Sequence, residues 1–248
     1  MHEPSAAASD RGSLRLLGGW SLQVDGDDVA LGLREQRLVA LLALTERTAR
    51  SQIAGLLWPD STDERALASL RRAVLQTQKG RPGLLRVDRA TVRLDPSVRV
   101  DVDDVRRAAA AAQQPLTEPA ARDLLRGLRG DELLPGWYED WAVDERERVD
   151  RARVDALERI ARHCLDAGLR ELAIEASRAA SDIEPLLESP REVSIRAHVA
   201  RGDLGGALRE LHRYGGVMRE ELGVEPSARI AALLEAPLPA ADAPVAIP

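Results

Sequence analysis

Four polar residues in segment 63–80 have the types and the spacing of side chains that read DNA bases. They are Arg65, Ser69, Arg72 and Gln76. Separations of four, three and four residues place them on one side of an α-helix. Arginine can bind guanine through two hydrogen bonds, glutamine can bind adenine in the same way, and serine can donate or accept. The stripe therefore predicts a helix that reads bases in a major groove.

The other sides of this segment follow the pattern of an amphipathic helix. The predicted buried side is centred on Leu67. Its other members are Leu70, Val74, Ala66, Ala73 and Thr77. Arg71 is expected beside the edge of the core, where only its long stem lets the charge reach water. Ser61 and Glu64 form a capping-box pattern, which predicts that the helix starts near Thr62.

Charge is distributed unevenly along the chain. The whole sequence of 248 residues has a net charge of −6. Between Arg65 and Arg93, however, eight basic residues stand against one acid, Asp88. A local basic field on an acidic chain favours a confined anionic partner. The residues predicted to contact a DNA backbone, from this segment and from the preceding helices, are Arg34, Arg37, Arg50, Lys79, Arg86, Arg89 and Arg93.

The order of elements that would position these residues is that of a winged helix-turn-helix. Residues 14–31 contain short apolar runs and an Asp-Gly pair, which predict two or three antiparallel strands. Helical periodicity follows from Arg34, from Ser51 and from Thr62, and residues 84–94 read as a hairpin. We therefore predict a winged helix-turn-helix DNA-binding domain of mixed helices and strands over residues 13–98.

The rest of the chain is predicted to be almost wholly helical. Helices of ordinary length alternate with short Gly- or Pro-containing breaks, a pattern typical of stacked helical repeats. Their expected positions are 103–113, 119–129, 138–166, 169–181, 187–200, 204–221 and 226–236. The predicted fold is thus mainly α, with an all-α, tetratricopeptide-like domain over residues 99–236. Residues 1–12 and 237–248 are predicted to be disordered tails.

An enzyme is the main competing class, and the residues do not favour it. His163 and Cys164 are sequence neighbours, so on a helix they point apart and cannot form a nucleophile-base pair. Cys164 is expected to be a small buried hydrophobe. The acidic run of residues 139–147 is expected to open a helix rather than to bind metal. We expect no catalytic residue, no metal and no cofactor, and the absence of GxxxxGK[ST] predicts no ATP site.

Two further features predict the compartment. The single cysteine excludes an intramolecular disulfide, which favours a reducing environment. The first residues, MHEPSAAASDRGS, lack the apolar core of a signal peptide, and no apolar run approaches the roughly 20 residues of a bilayer span. We therefore expect a cytoplasmic protein without a membrane partner.

Several segments resemble the Streptomyces antibiotic regulatory protein family. LRLLGGWSLQVDG, LREQRLVALLAL and IAGLLWPDSTDERALASLRRAV are similar to its OmpR-type winged helix. VRVDVDDV, GWYEDWAVDERERV and the stretch ending in REELGVEP are similar to its bacterial transcriptional activation domain. Gly215 and Gly216 depart from the family pattern, in which helix-forming residues usually stand at these positions. Each glycine is expected to weaken its helix by about 1 kcal/mol.

The resemblance implies a transcriptional activator that binds direct repeats in double-stranded promoter DNA. It also implies side-by-side protomers on the DNA and contacts with RNA polymerase and its sigma factor. Two alternatives remain open. One is a repressor with the same fold, and the other is a helical-repeat adaptor that binds proteins without binding DNA.

Overall fold

The structure, a computed structural model, describes residues 12–45 and 49–234. The predicted tails lie outside these residues, except for Gly12. The chain forms two compact units. Unit 1 consists of the described residues of Met1–Val105 together with Gly130–Val149, and unit 2 consists of Arg106–Arg129 with the described residues of Asp150–Pro248.

The described elements follow the predicted order, with one added strand after the hairpin. The strands are β1 (Gly12–Arg15), β2 (Ser21–Val24), β3 (Asp27–Asp28), β4 (Leu85–Val87), β5 (Val92–Leu94) and β6 (Val98–Val100). The helices are α1 (Leu33–Leu44), α2 (Arg50–Leu57), α3 (Asp63–Gly80), α4 (Asp101–Ala111), α5 (Glu118–Leu128), α6 (Asp140–Asp166), α7 (Arg170–Ile183), α8 (Glu188–Ala200), α9 (Leu204–Leu222) and α10 (Ala228–Ala231). A short 3₁₀ helix, Ala232–Leu234, follows α10.

A four-stranded sheet opens unit 1. Its strand order is β3-β2-β1-β6. Asp25 and Gly26 both have positive φ, as the tight turn of a two-residue hairpin requires, and this confirms the Asp-Gly signal. Strand β6 pairs in parallel with β1 and was not predicted. The Asp101 carboxylate, at the start of α4, accepts hydrogen bonds from the backbone N–H groups of Leu16 and Leu17 at 3.0–3.1 Å.

Helices α1, α2 and α3 pack around one core with the β4–β5 hairpin. Leu38, Leu41, Ile53 and Leu70 are fully buried there. Trp58 ends α2, as its position before Pro59 predicts. The predicted start of α3 near Thr62 is confirmed, since Thr62 is its N-cap, but the capping box was wrong because the N-cap makes no side-chain cap hydrogen bond.

Residues 130–149 belong to unit 1 although they follow α5 in sequence. Leu134 N–H donates to Leu16 C=O at 2.8 Å, and Gly18 N–H donates to Glu132 C=O at 2.9 Å. Trp137 stacks on Trp20 at 6.3 Å between ring centroids and meets Trp141 edge-on at 6.0 Å. These aromatic residues therefore serve packing within unit 1.

Unit 2 is a succession of packed helices. α7 packs on α8 and α8 on α9. Ile195, Ala207, Tyr214 and Ile230 form a buried cluster that joins α8, α9 and α10. The predicted bounds of α4 to α9 agree with the observed ones within two residues, because loop glycines, prolines and caps mark helix ends in the sequence.

The two glycines inside α9 do not interrupt the helix. Gly215 is buried, and a Cβ atom there would lie 3.3 Å from Arg219 Nη1 and 3.6 Å from Pro226 Cγ. Gly215 thus lies where Pro226, in the segment after α9, packs closely against the helix. At Gly216, apart from the flanking residues and the nearby backbone of α9 itself, no atom of the described residues lies within 4 Å of a Cβ position.

Candidate nucleic-acid interface

Helix α3 turns a broad polar face to solvent. Arg65, Arg72 and Gln76 are exposed, as predicted, and Ser69 is half-buried at the margin of the face. The most buried residues are Ala66, Leu70, Ala73 and Thr77, at 0–2% exposure. Leu67 is only half-buried, so it is not the centre of the buried side. That side is rotated from the predicted one because α1, α2 and β4 pack against it.

The rotation changes which residues stand at the centre of the outward face. Ala68, Arg72, Leu75 and Lys79 recur at four, three and four residues and are all exposed. Arg71 is also exposed, so its predicted place beside the core edge was wrong. The sequence stripe missed Leu75, which is 51% exposed. The stripe was chosen from polar residues, so an apolar leucine was not included in it. Only the packing of α3 in the structure shows that Leu75 faces outward.

The basic side chains on α3 have no competing partners in the described part of the chain. No ion pair or side-chain hydrogen bond involves Arg65, Arg71, Arg72 or Lys79 within residues 12–45 and 49–234. Their guanidinium and ammonium groups are thus free to bind an external anion. Arg81, just after the helix, is different: it binds Val24 C=O at 2.9 Å and the Asp25 carboxylate at 2.8 Å.

The β4–β5 hairpin presents further arginines. Val87 pairs with Val92, so the tip is residues 88–91. The tip is tied to the start of α2, since Ala49 bridges to Thr91 and Arg50 N–H donates to Ala90 C=O at 3.1 Å. Arg89 and Arg93 are exposed, and within the described ranges neither makes an ion pair. Both are available for contacts with phosphate.

Asp88, the one acid of the basic segment, is directed onto its own backbone. Its carboxylate accepts hydrogen bonds from Ala90 N–H at 2.8 Å, Thr91 N–H at 2.7 Å and the Thr91 hydroxyl at 2.6 Å. These donors, the Thr91 hydroxyl first, lower the pKa of Asp88 from 3.8 to about 2. The carboxylate therefore fixes the shape of the tip, and its charge is partly satisfied by those donors.

Two of the predicted backbone contacts are already paired within the protein. Arg37 forms an ion pair with Glu139. Arg86 Nε donates to the Asp95 carboxylate at 2.8 Å, although the Arg86 side chain is still 65% exposed. Both assignments stay predictions, but each residue would have to share or exchange its partner to bind DNA.

Arg34 and Arg50 lie at the starts of their helices. Arg34 is exposed beside Leu57 and Trp58, in a cleft of about 380 Å³ between α1 and α2. Arg50 is half-buried, and its Nε atom is buried with no hydrogen-bond partner among the described residues. The basic residues therefore come from α1, α2, α3 and the hairpin of one compact unit.

Comparison with known proteins decides the family. The bacterial transcriptional activator domain family matches residues 98–237, which is more than half of the chain.

The chain belongs to this family.

Two relatives support the same conclusion. Regulatory protein AfsR of Streptomyces coelicolor is 30% identical over 235 residues, covering 89% of this chain and 24% of AfsR. The structure of Mycobacterium tuberculosis EmbR in complex with a low-affinity phosphopeptide is similar with a TM-score of 0.68 at 22% identity. That match covers 91% of this chain and 64% of the EmbR chain, so this chain spans less than two thirds of either relative.

The findings confirm two of the sequence-based predictions. The resemblance to the Streptomyces antibiotic regulatory protein family holds, and the family is one of transcriptional regulators. The fold class holds as well, since a small N-terminal sheet region is followed by a helical domain. The match to the bacterial transcriptional activator domain begins at residue 98, although β6 and residues 130–149 pack in unit 1.

Cys164 and the acidic side chains are the other candidates for chemistry that the sequence raised. Cys164 is fully buried, as expected for a small core hydrophobe, and this burial raises the pKa of its thiol. Among residues 12–45 and 49–234, no group of three or more His, Cys, Asp or Glu side chains is placed to hold a metal ion. None of the helices described there is long and apolar enough to cross a bilayer.

Acid is expected to loosen the hairpin tip. The pKa values of Asp88 and Asp95 are both lowered from 3.8 to about 2, the second chiefly by the Ser97 hydroxyl. A lowered folded-state pKa stabilises the fold above pH 3.8, and that contribution is lost as the pH falls towards 2. NMR titration of the Thr91 amide should show a midpoint near pH 2. Asp88→Asn, which keeps an oxygen acceptor but does not titrate, should remove the transition, and a midpoint near pH 4 would contradict the assignment.

Proposed function

We propose that the protein is a sequence-specific DNA-binding transcriptional activator of the Streptomyces antibiotic regulatory protein type. In this proposal α3 enters the major groove of promoter direct repeats, and Arg65, Ser69, Arg72 and Gln76 contact base edges. The backbone contacts come from Lys79 of α3, from Arg34, Arg37 and Arg50, and from the hairpin arginines Arg86, Arg89 and Arg93. The helical domain recruits RNA polymerase holoenzyme in the cytoplasm.

The observation that supports DNA binding best is the set of unpaired basic side chains on α3 and the hairpin. Arginine and lysine that are paired within a protein have little to gain from phosphate, whereas unpaired ones release condensed counterions from DNA when they bind. Arg72 and Lys79 stand at the centre of the outward face of α3, and Arg89 stands at the hairpin tip. The hairpin tip is tied to the start of α2 through Ala49 and Arg50, and α2 packs on α3, so α3 and the hairpin suit adjacent contacts on one duplex.

DNA binding is tested by its dependence on salt. We expect the full chain to bind a 30-bp duplex carrying a sequence enriched from a random pool. The logarithm of the binding constant should fall linearly with the logarithm of salt concentration, by about 0.9 per phosphate neutralised. Arg89→Ala should weaken enriched and random duplexes alike and reduce that slope by about 1. Absence of salt-sensitive binding would overturn the proposal and favour the adaptor.

Activation is tested with purified RNA polymerase holoenzyme on a promoter that contains the enriched repeats. We expect transcript to increase when the protein is added. Variants in which exposed side chains of α7 to α9 are replaced should keep DNA binding and lose part of this increase, because those helices lie wholly in unit 2. A lower transcript on adding the wild type would favour the repressor. Protein-to-duplex stoichiometry on one and on two repeats measures whether protomers bind side by side.

A further inference from the structure

Leu75 is an apolar side chain in the middle of a charged surface. It is 51% exposed on the outward face of α3. Arg71 and Arg72 precede it by one turn, and Lys79 follows it by one turn. A single exposed leucine is ordinary on a protein surface. The position of this leucine is informative, because its neighbours are the unpaired cations proposed to contact DNA.

The major groove offers one apolar group to such a side chain. Guanine, cytosine and adenine present hydrogen-bond donors and acceptors along their major-groove edges, whereas thymine adds a C5-methyl group. A leucine held against a polar edge would desolvate groups that it cannot bond, which costs free energy. Against a methyl group it removes apolar surface from water on both sides.

We propose that Leu75 is a specificity-determining residue whose side chain packs on the C5-methyl group of a thymine. The inference rests on the proposed DNA binding and goes beyond it, because it assigns a base type to a residue without polar atoms in its side chain. Arg72 and Leu75 are three residues apart, or about 4.5 Å along the helix. A base-pair step is about 3.4 Å, so the thymine lies within about two base pairs of the guanine that Arg72 binds.

Exposed Ala68 supports this arrangement. It lies one turn before Arg72 on the outward face and has a side chain of one carbon. A small residue there lets the helix approach the base edges closely. Leu75, three residues after Arg72, can then reach the methyl group of a thymine while the Arg72 guanidinium lies in the plane of the guanine that it binds.

The inference is tested by removing one methyl group at a time from the DNA. The full chain is first used to enrich a binding sequence from a random pool. Each thymine of the enriched duplex is then replaced singly by deoxyuridine, which keeps base pairing and lacks only the methyl group. Fluorescence anisotropy gives the dissociation constant of each duplex for the wild type, Leu75→Ala and Leu208→Ala. Leu208 is a matched control, a leucine that is 45% exposed on α9.

We expect one thymine at which deoxyuridine weakens wild-type binding about fourfold, the effect of one buried methyl group. Leu75→Ala should bind the unmodified duplex more weakly and should bind both duplexes equally. Leu208→Ala should behave as the wild type. Alanine favours helix, so the variant keeps α3 intact.

Two failures are distinguishable. If no sequence is enriched and no salt-sensitive binding occurs, the proposed DNA binding itself fails. If a sequence is enriched but Leu75→Ala shows the same deoxyuridine effect as the wild type at every position, DNA binding stands and the role of Leu75 is overturned. The role of Leu75 is also overturned if Leu75→Ala weakens binding to every duplex by the same factor. Such a loss would mean that Leu75 contacts a protein neighbour and not a thymine methyl group.

Discussion

Glu210→Ala is expected to lower the free energy of unfolding by about 3–5 kcal/mol. Glu210 and Arg191 are both buried, with 6% of each side chain exposed, and Arg191 Nη1 lies 2.6 Å from Glu210 Oε1. The second carboxylate oxygen accepts from Arg213 at 2.7 Å. Removing Glu210 leaves a buried guanidinium whose remaining described contact is the Tyr214 ring, 5.9 Å from its central carbon. A buried unpaired charge is among the most costly changes in a fold.

The measurement is urea-induced unfolding followed by circular dichroism, because all four tryptophans lie in unit 1 and the pair lies in unit 2. Glu225→Ala is the matched control. Glu225 pairs with Arg219 but is 69% exposed, so its loss should cost about 0–1 kcal/mol. The double variant Arg191→Met with Glu210→Leu should regain most of the stability, since an apolar pair leaves no buried charge. Equal losses for Glu210→Ala and Glu225→Ala would contradict a structural role for the pair.

Arg72→Ala is expected to weaken binding to an enriched sequence by about 1–3 kcal/mol and to relax selectivity at one base pair. Arg72 is exposed at the centre of the outward face and has no ion-pair partner in the described ranges. Its guanidinium can therefore form two hydrogen bonds to one guanine. Random DNA, which lacks the matching base, should lose much less affinity. Dissociation constants on both duplexes at one salt concentration measure the difference.

Arg72→Lys separates base reading from charge. Lysine keeps the positive charge but lacks the planar fork that bonds two acceptors at once. We expect this variant to retain the salt dependence of the wild type and to lose selectivity. Arg178→Ala is the control, because Arg178 is an exposed arginine on α7 without an ion pair among the described residues. Equal losses of Arg72→Ala on enriched and random DNA would refute its role in reading a base.

Local patterns allowed most elements to be predicted. The i, i+3, i+4 spacing of leucines in α1, the proline after Trp58 and the Asp25-Gly26 turn each act within a few residues, so sequence neighbours alone decide them. The same holds for the polar side of α3, where Arg65, Arg72 and Gln76 are exposed as predicted. The capping box failed because the Ser61–Glu64 pattern is permissive, and Thr62 takes the N-cap position without a side-chain bond.

Long-range pairings could not be predicted from local patterns. Strand β6 pairs in parallel with β1 across a sequence separation of more than eighty residues. The hydrogen bond from Leu134 N–H to Leu16 C=O spans an even longer separation. Short apolar strands of this kind fit many partners equally well. Which partner such a segment pairs with depends on the surfaces that the rest of the fold leaves uncovered. Residues 130–149 therefore pack in unit 1, although they lie within the sequence range of the helical domain.

The sequence by itself determined that α3 is an amphipathic helix with basic residues on its polar side, followed by a basic hairpin. Hydrophobic periodicity fixes which residues can be buried, because it depends only on the helical repeat. The tertiary structure alone decided the rotation of α3, through the packing of α1, α2 and β4 against Ala66, Leu70 and Ala73. That rotation exposes Arg71 and Leu75, because burial of a helix face is settled by its neighbours in space.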